Sequence, residues 1–278
     1  MPDVSSWSVI SEVGSNRVIL GIDFPAAGRA EGSLADLAAR IGPGYGFLQV
    51  VPPRVSPDQR ISVGEYTQHW LGEAQRSGWQ VAAVIGYCLG SVYAAPIAES
   101  ISGWQDPPPQ IILFDPLYAD LKLLALEANK IVGQFGPLLS QDEVALAAKR
   151  IGELTGQGSG ESAGVADATV ALVDFFREIG AAAFGRLGLN ESRQHEMLQL
   201  FESYMSWIAV AAQINPIQSW MRSTAVMSLD YVRQADGEAD EQMWSSLFGQ
   251  QATLDVGHGD LLRSEAAAET VLGHMRGL

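Results

Sequence analysis

Apolar and polar positions alternate in two rhythms along the chain. Short apolar runs occur at residues 18–24 (VILGIDF), 47–51 (FLQVV), 81–85 (VAAVI) and 110–115 (QIILFD). Shorter ones follow at 225–230 (AVMSLD) and 251–256 (QATLDV). Runs of this kind, bounded by turn residues, predict buried strands. Residues 62–77 instead place Val63, Tyr66, Trp70 and Ala74 on one helical face. Ser62 with Glu65 forms a capping-box pattern at the start of that helix, and Gly78 ends it. Residues 91–102 read as a helix strained by Pro96, and Asp106 followed by three prolines reads as a rigid loop. The tail, 264–275, reads as a helix with Ser264 at its N-cap and Glu265 in its first turn. Strands separated by helices predict an α/β fold: a mostly parallel sheet flanked by helices.

The stretch 117–222 breaks this alternation. Its pattern is helical throughout, with a Gly/Ser-rich break at 156–164 (GQGSGESAG) that suits a mobile connector. The expected organisation is a core of 1–116 and 223–278 carrying a long helical lid insertion, 117–222.

Composition narrows the function classes. The chain has 278 residues, 47% of them hydrophobic and 18% charged, which excludes an intrinsically disordered chain. Seventeen Lys and Arg against 32 Asp and Glu leave a formal charge of −15. That charge argues against nucleic acid and against an anionic membrane as the main partner. The single cysteine excludes an intrachain disulfide and a cysteine-based metal cluster. Residues 1–17 lack the basic start and apolar stretch of a signal peptide, and no apolar run reaches bilayer length. The expected location is the cytoplasm.

The strongest chemical signal is Gly86-Tyr87-Cys88-Leu89-Gly90 between a predicted strand and a predicted helix. A nucleophile on a sharp strand-to-helix turn needs small neighbours two residues away on each side. Such a turn lifts the Cys88 side chain out of the sheet edge and aims the Leu89 N–H and a helix N-terminus at one spot. Both favour a thiolate and a developing oxyanion. The bland alternative is a small buried apolar residue, common for cysteine.

A thiol nucleophile needs a base. His69 lies beside Trp70 in a predicted helix, His195 in the insertion and His274 in the terminal helix. His258 differs: it sits between Gly257 and Gly259, just past the last predicted strand, where sites in parallel sheets collect. The imidazole in turn needs an acid to hold its tautomer. Asp115 ranks first, at a strand end before Pro116; Asp230, read as ending a later strand, and Asp236 are the alternatives. A second oxyanion donor is expected from the loop Phe24-Pro25-Ala26-Ala27-Gly28, with the N–H of Ala27 preferred and Ala26 as its neighbour.

Three motifs together resemble the α/β-hydrolase thioesterases of nonribosomal peptide and polyketide synthesis. Residues 24–28 are similar to that family's F-P-P-A-G stretch. Residues 86–90 are similar to its G-x-S-x-G elbow. Gly257-His258 followed by Leu261-Leu262-Arg263 is similar to its G-H-F-x-x-L segment. The resemblance implies the α/β-hydrolase fold and a Cys88–His258–Asp115 triad. Asp115 takes the acid's place in synthase-terminal members, whereas Asp230 or Asp236 would match stand-alone editing members. It further implies a peptidyl or acyl carrier protein as partner. The substrate brings its own phosphopantetheine arm, and the enzyme needs no cofactor. Two departures stand out: the long insertion, and cysteine where serine is usual. Cysteine occurs in relatives that shuttle aminoacyl groups between carriers.

Carrier proteins are themselves acidic, so docking would need a local basic patch. Lys122, Lys130, Lys149 and Arg150 are candidates, with a solvated helix face as the alternative. Phe175, Phe176, Phe184, Trp207 and Trp220 could line an apolar cargo pocket or simply be core.

Overall fold

The computed structural model describes residues 5–12, 16–25, 30–156, 164–234 and 246–275. Their contacts divide the chain into two compact units.

The first unit comprises Met1–Val51, Gly64–Leu117 and Ile214–Leu278. It holds a seven-stranded sheet of β1 (Trp7–Ser11), β2 (Arg17–Ile22), β3 (Gly46–Val50), β4 (Gln80–Tyr87), β5 (Gln110–Phe114), β6 (Thr224–Ser228) and β7 (Gln250–Leu254). The strand order is β1-β3-β2-β4-β5-β6-β7. All neighbours pair in parallel except β1, which runs antiparallel to β3 at the edge. β4 is apolar on both faces and buried from Val81 to Tyr87, as a central parallel strand must be. Helices flank the sheet: α1 (Leu34–Ile41), α2 (Val63–Ser77) and α3 (Ser91–Ser102). Later in the chain come α8 (Ile217–Trp220), α9 (Leu229–Gln234) and α10 (Glu265–Met275). Leu34, Leu37, Ala267 and Val271 pack into a buried cluster with Ile19, Phe47, Ile85, Ile112 and Phe114 of the strands. Gly78 stops α2 in a left-handed conformation, φ +64°.

Three elements depart from the sequence reading. β1 and α1 are additional. The strand expected through Asp230 ends at Ser228, because the Ser228 Oγ accepts the N–H of Tyr231 and starts α9 there. Asp230 therefore lies in the first turn of a helix and not at a strand end.

Topology positions the site. The chain leaves β2 for β3 on one side, then crosses to β4 on the other. The gap beyond the C-terminal ends of β2 and β4 is thus a topological switch point, where open parallel sheets bind ligands.

The second unit comprises Pro52–Val63 and Tyr118–Gln213. It holds α4 (Leu121–Phe135), α5 (Gln141–Leu154), α6 (Val165–Arg186) and α7 (Glu191–Ala211), with no strand among the described residues. The segment 52–63 joins these helices through Ser206 Oγ donating to Val55 O (2.9 Å), Gln213 Nε2 donating to Ile61 O (3.1 Å) and an Arg60–Asp167 ion pair. Residues 214–222 belong to the sheet unit, where Trp220 stacks on Phe248 and donates to Ser91 O. No described helix is long and apolar enough to cross a membrane.

Candidate active site

The end of β4 is a sharp elbow. Cys88 sits at φ +48°, a left-handed conformation that costs an L-residue about 1–2 kcal/mol. The neighbouring glycines make it possible. A Cβ on Gly86 would collide with the backbone of Ser91, and one on Gly90 with the carbonyl oxygen of Ile22 in β2. The elbow is therefore closed against both its own helix and the adjacent strand. Leu117 N–H donates to Cys88 O (3.1 Å) and fixes it from the β5 side. Cys88 as a residue is half-buried.

β5 ends in a second left-handed residue, Asp115, at φ +41°. Its carboxylate is 1% exposed, and every contact it makes is to a donor. Oδ1 accepts the N–H of Ser228 (2.7 Å), and Oδ2 accepts the Ser228 hydroxyl (2.6 Å). Oδ2 also accepts the Nδ1–H of His258 at 2.6 Å. Because an ionised carboxylate can only accept, this network assigns the imidazole proton to Nδ1 and leaves Nε2 as the acceptor nitrogen, the one that can act as a base. Nε2 lies 3.4 Å from Cys88 Sγ.

His258 opens a short helical turn, His258–Arg263, just past β7. Its backbone N–H donates to Asp230 Oδ2 (2.8 Å). Gly257 permits this approach: a Cβ there would stand 2.9 Å from the same oxygen. Gly32 N–H ties the turn down from outside by donating to Gly259 O (2.7 Å). Asp115 thus holds the ring of His258, while Asp230 holds its backbone.

The structure brings Cys88, His258 and Asp115 into one hydrogen-bonded line. Leu89 lies in the helical turn that begins at Cys88, among the first N–H groups, which a helix leaves without an intrahelical acceptor. Ala27, Ala26 and Asp236 lie outside the described residues. The other histidines stand elsewhere. His69 packs edge-on against Trp70, and burial pulls its basicity down; His195 is exposed on α7. His274 is half-buried in the last turn of α10.

Of the basic candidates, Lys130 pairs with Glu127, and Lys149 and Arg150 pair with Glu153 along their own helices. They form ordinary solvated ion-paired faces. Phe176, Phe184 and Trp207 are buried core residues. The cavity lined by Phe176 and Phe184 is about 30 Å³, room for a single water. Trp220 belongs to the sheet unit, and Phe175 is half-buried against Phe176.

Two contributors escape a motif search. Ser228 completes the shell of Asp115 from β6, at a distance in sequence that no pattern spans. Tyr87 carries its hydroxyl to 3.0 Å from His258 Nε2, with the two rings nearly parallel (9°) and their centroids 5.3 Å apart. The x of G-x-C-x-G carries no expectation, so nothing in the sequence singles Tyr87 out.

No family model matches the sequence, and no curated protein matches it. Similar solved structures exist. One is a holo four-domain nonribosomal peptide synthetase bound to AMP and glycine, at 14% identity and TM-score 0.53. The match covers 98% of this chain and 20% of that one, so the chain spans about a fifth of the synthetase's length. A second is the Vlm2 thioesterase domain bound with a dodecadepsipeptide, at 13% identity and TM-score 0.50, covering 98% of this chain and 97% of that one. A third is MGS-M2, an α/β-hydrolase enzyme from a Medee basin deep-sea metagenome library, at 11% identity and TM-score 0.53, covering 98% and 94%. The chain has the α/β-hydrolase fold.

Proposed function

We propose that this chain is a thioesterase-like enzyme that takes an acyl, aminoacyl or peptidyl group from a carrier-protein phosphopantetheine thioester onto Cys88 and then transfers or releases it. The observation that carries this reading is the line from Cys88 Sγ through His258 to Asp115, at 3.4 and 2.6 Å, set at the switch point of the sheet.

In the proposed cycle His258 Nε2 removes the Cys88 proton. The thiolate attacks the carrier thioester, and a new carbon–sulfur bond forms. The N–H groups of Leu89 and Ala27 hold the oxyanion. Collapse breaks the bond to the pantetheine sulfur, which leaves with the proton carried by His258. Asp115 keeps the imidazole in its tautomer and stabilises the transient imidazolium. An acceptor amine, thiol or water, deprotonated through His258, then attacks the acyl-Cys88 carbonyl and restores the thiol.

Sulfur matters energetically. Thioester-to-thioester exchange is near thermoneutral, and the thiolate is a far better leaving group than an alkoxide. An acylated Cys88 therefore stays activated for onward transfer, which favours transfer over hydrolysis. The acid's position supports the same side: Asp115 at the β5 end fits the synthase-terminal pattern rather than that of the stand-alone editing enzymes.

Incubation with a loaded carrier and intact mass spectrometry tests the reading. The expected result is an acyl adduct on the wild-type chain that is absent from Cys88→Ala. Absence of any adduct, with no turnover, overturns it. Cys88→Ser should then shift the product ratio toward hydrolysis.

A further inference from the structure

The proposed cycle depends on the Nε2 lone pair of His258, and two donors compete for it: the Cys88 thiol at 3.4 Å and the Tyr87 hydroxyl at 3.0 Å. Resting on that cycle, we propose that Tyr87 is a positioning residue that regulates it: its phenol proton occupies Nε2 at rest and holds Cys88 as the neutral thiol.

Several observations converge. Nδ1 already donates to Asp115, so Nε2 can only accept in the neutral ring. The phenol stands at ordinary O–H···N distance, whereas a thiol is a weak donor. Tyr87 is fully buried, so bulk water does not compete for its hydroxyl. A second acceptor, the His258 carbonyl oxygen, lies 3.4 Å from the same hydroxyl.

That second acceptor makes the arrangement switchable. When the Sγ–H bond breaks and the proton goes to Nε2, the phenol turns its own proton to the His258 carbonyl. Its oxygen lone pair then faces the new Nε2–H. No proton leaves the tyrosine, and only hydrogen-bond roles exchange. Tyr87 thus opposes thiolate formation at rest and tolerates it once a substrate draws the sulfur away.

The charged groups around His258 come from separate elements. Asp115 follows β5, and Asp230 in α9 holds the backbone N–H. Glu31 Oε2 lies 3.9 Å from Nε2. In the turn that His258 opens, Asp260 and Arg263 pair with each other, and Arg263 also reaches Asp36. Only Tyr87 and Cys88 offer donors to Nε2 among the described contacts.

The test is the pH dependence of iodoacetamide alkylation of Cys88, read by mass on the sole cysteine of the full chain. Tyr87→Phe keeps the stacked ring and removes only the hydroxyl. The expected result is a midpoint shifted to lower pH and a rate at neutral pH about two- to tenfold faster, the scale of one neutral hydrogen bond. A structural role alone would slow alkylation or leave it unchanged, and either outcome overturns the proposal. Site-specific 3-fluorotyrosine at position 87, a stronger donor, should move the midpoint the other way. It decides the matter by itself if Tyr87→Phe does not fold. His258→Asn separates the two readings. If it leaves the profile unchanged, the thiol–imidazole pair and the proposed cycle both fail. If it alters the profile while Tyr87→Phe does not, the role of Tyr87 alone fails.

Discussion

Glycine does opposite work in the two units. At the β4 elbow, Gly86 and Gly90 are required because the backbone of Ser91 and the carbonyl of Ile22 occupy the space a Cβ would take. In α4 of the helical unit, Gly133 is exposed and faces nothing within 4 Å of an added Cβ. One residue type thus marks close packing in service of a site, and elsewhere a helix position left below its attainable stability. The site region carries left-handed non-glycine residues at Cys88 and Asp115 and a fully paired buried carboxylate. The helical unit relies on aromatic contacts such as Phe176 on Phe201, 4.5 Å between centroids, and on exposed ion pairs.

The sharpest way to break this contrast is Gly90→Ala. The clash is with backbone in a neighbouring strand and cannot be relieved by a side-chain rotation. The expected loss is about 4 kcal/mol or more, measured by chemical denaturation. Gly133→Ala should instead stabilise by about 0.5–1 kcal/mol. Equal effects at the two positions would mean that the two glycines do the same work.

Asp115→Asn comes next. The amide would turn a donor toward donors and release the imidazole tautomer. Turnover of a carrier thioester should fall about 10³- to 10⁴-fold, measured under single-turnover conditions. Ser228→Ala removes one hydroxyl from the same carboxylate while the backbone N–H remains. A loss of stability of about 1–3 kcal/mol is expected on thermal unfolding.

The smallest effect belongs to the helical unit. Arg186 and the N-terminal groups of Ser140 hold the Glu143 carboxyl down at about 2, against an ordinary 4.5. A depressed carboxylate contributes stability that is present above its unfolded value and is lost as pH falls from about 4.5 toward 2. Glu143→Gln should therefore lower the melting temperature only slightly at neutral pH, since the pair is exposed and screened. The difference from wild type should vanish near pH 2.

The elbow, the His258 turn and Asp115 were legible because each joins local pattern to a strand end. The buried strands were legible because apolar runs are long compared with their turns. What escaped depends on distant pairing. β1 is an edge strand, half-exposed, whose partner β3 lies tens of residues away. α1 does carry a signal, with Ser33 and Asp36 forming a capping box and Leu34, Leu37, Ala38 and Ile41 on one face, but the alternation of strands masks it. The segment 52–63 looks like a proline-rich link, and it is contacts from α6, α7 and Gln213 that attach it to the helices. Ser228 and Tyr87 meet Asp115 and His258 through the sheet register, which no linear motif encodes. The sequence places Asp230 at a strand end as a possible acid; in the structure its carboxylate accepts the backbone N–H of His258.

The left-handed backbone at Cys88 has a consequence for how such chemistry changes over time. The strain belongs to the Cβ of any L-residue, and the packing of Gly86 and Gly90 offsets it without regard to the atom beyond. Oxygen and sulfur can therefore be exchanged at that perch with the scaffold left as it is. Under the cycle proposed above, a lineage would move between irreversible release and reversible hand-over by altering one atom, with no remodelling of the sheet that presents it.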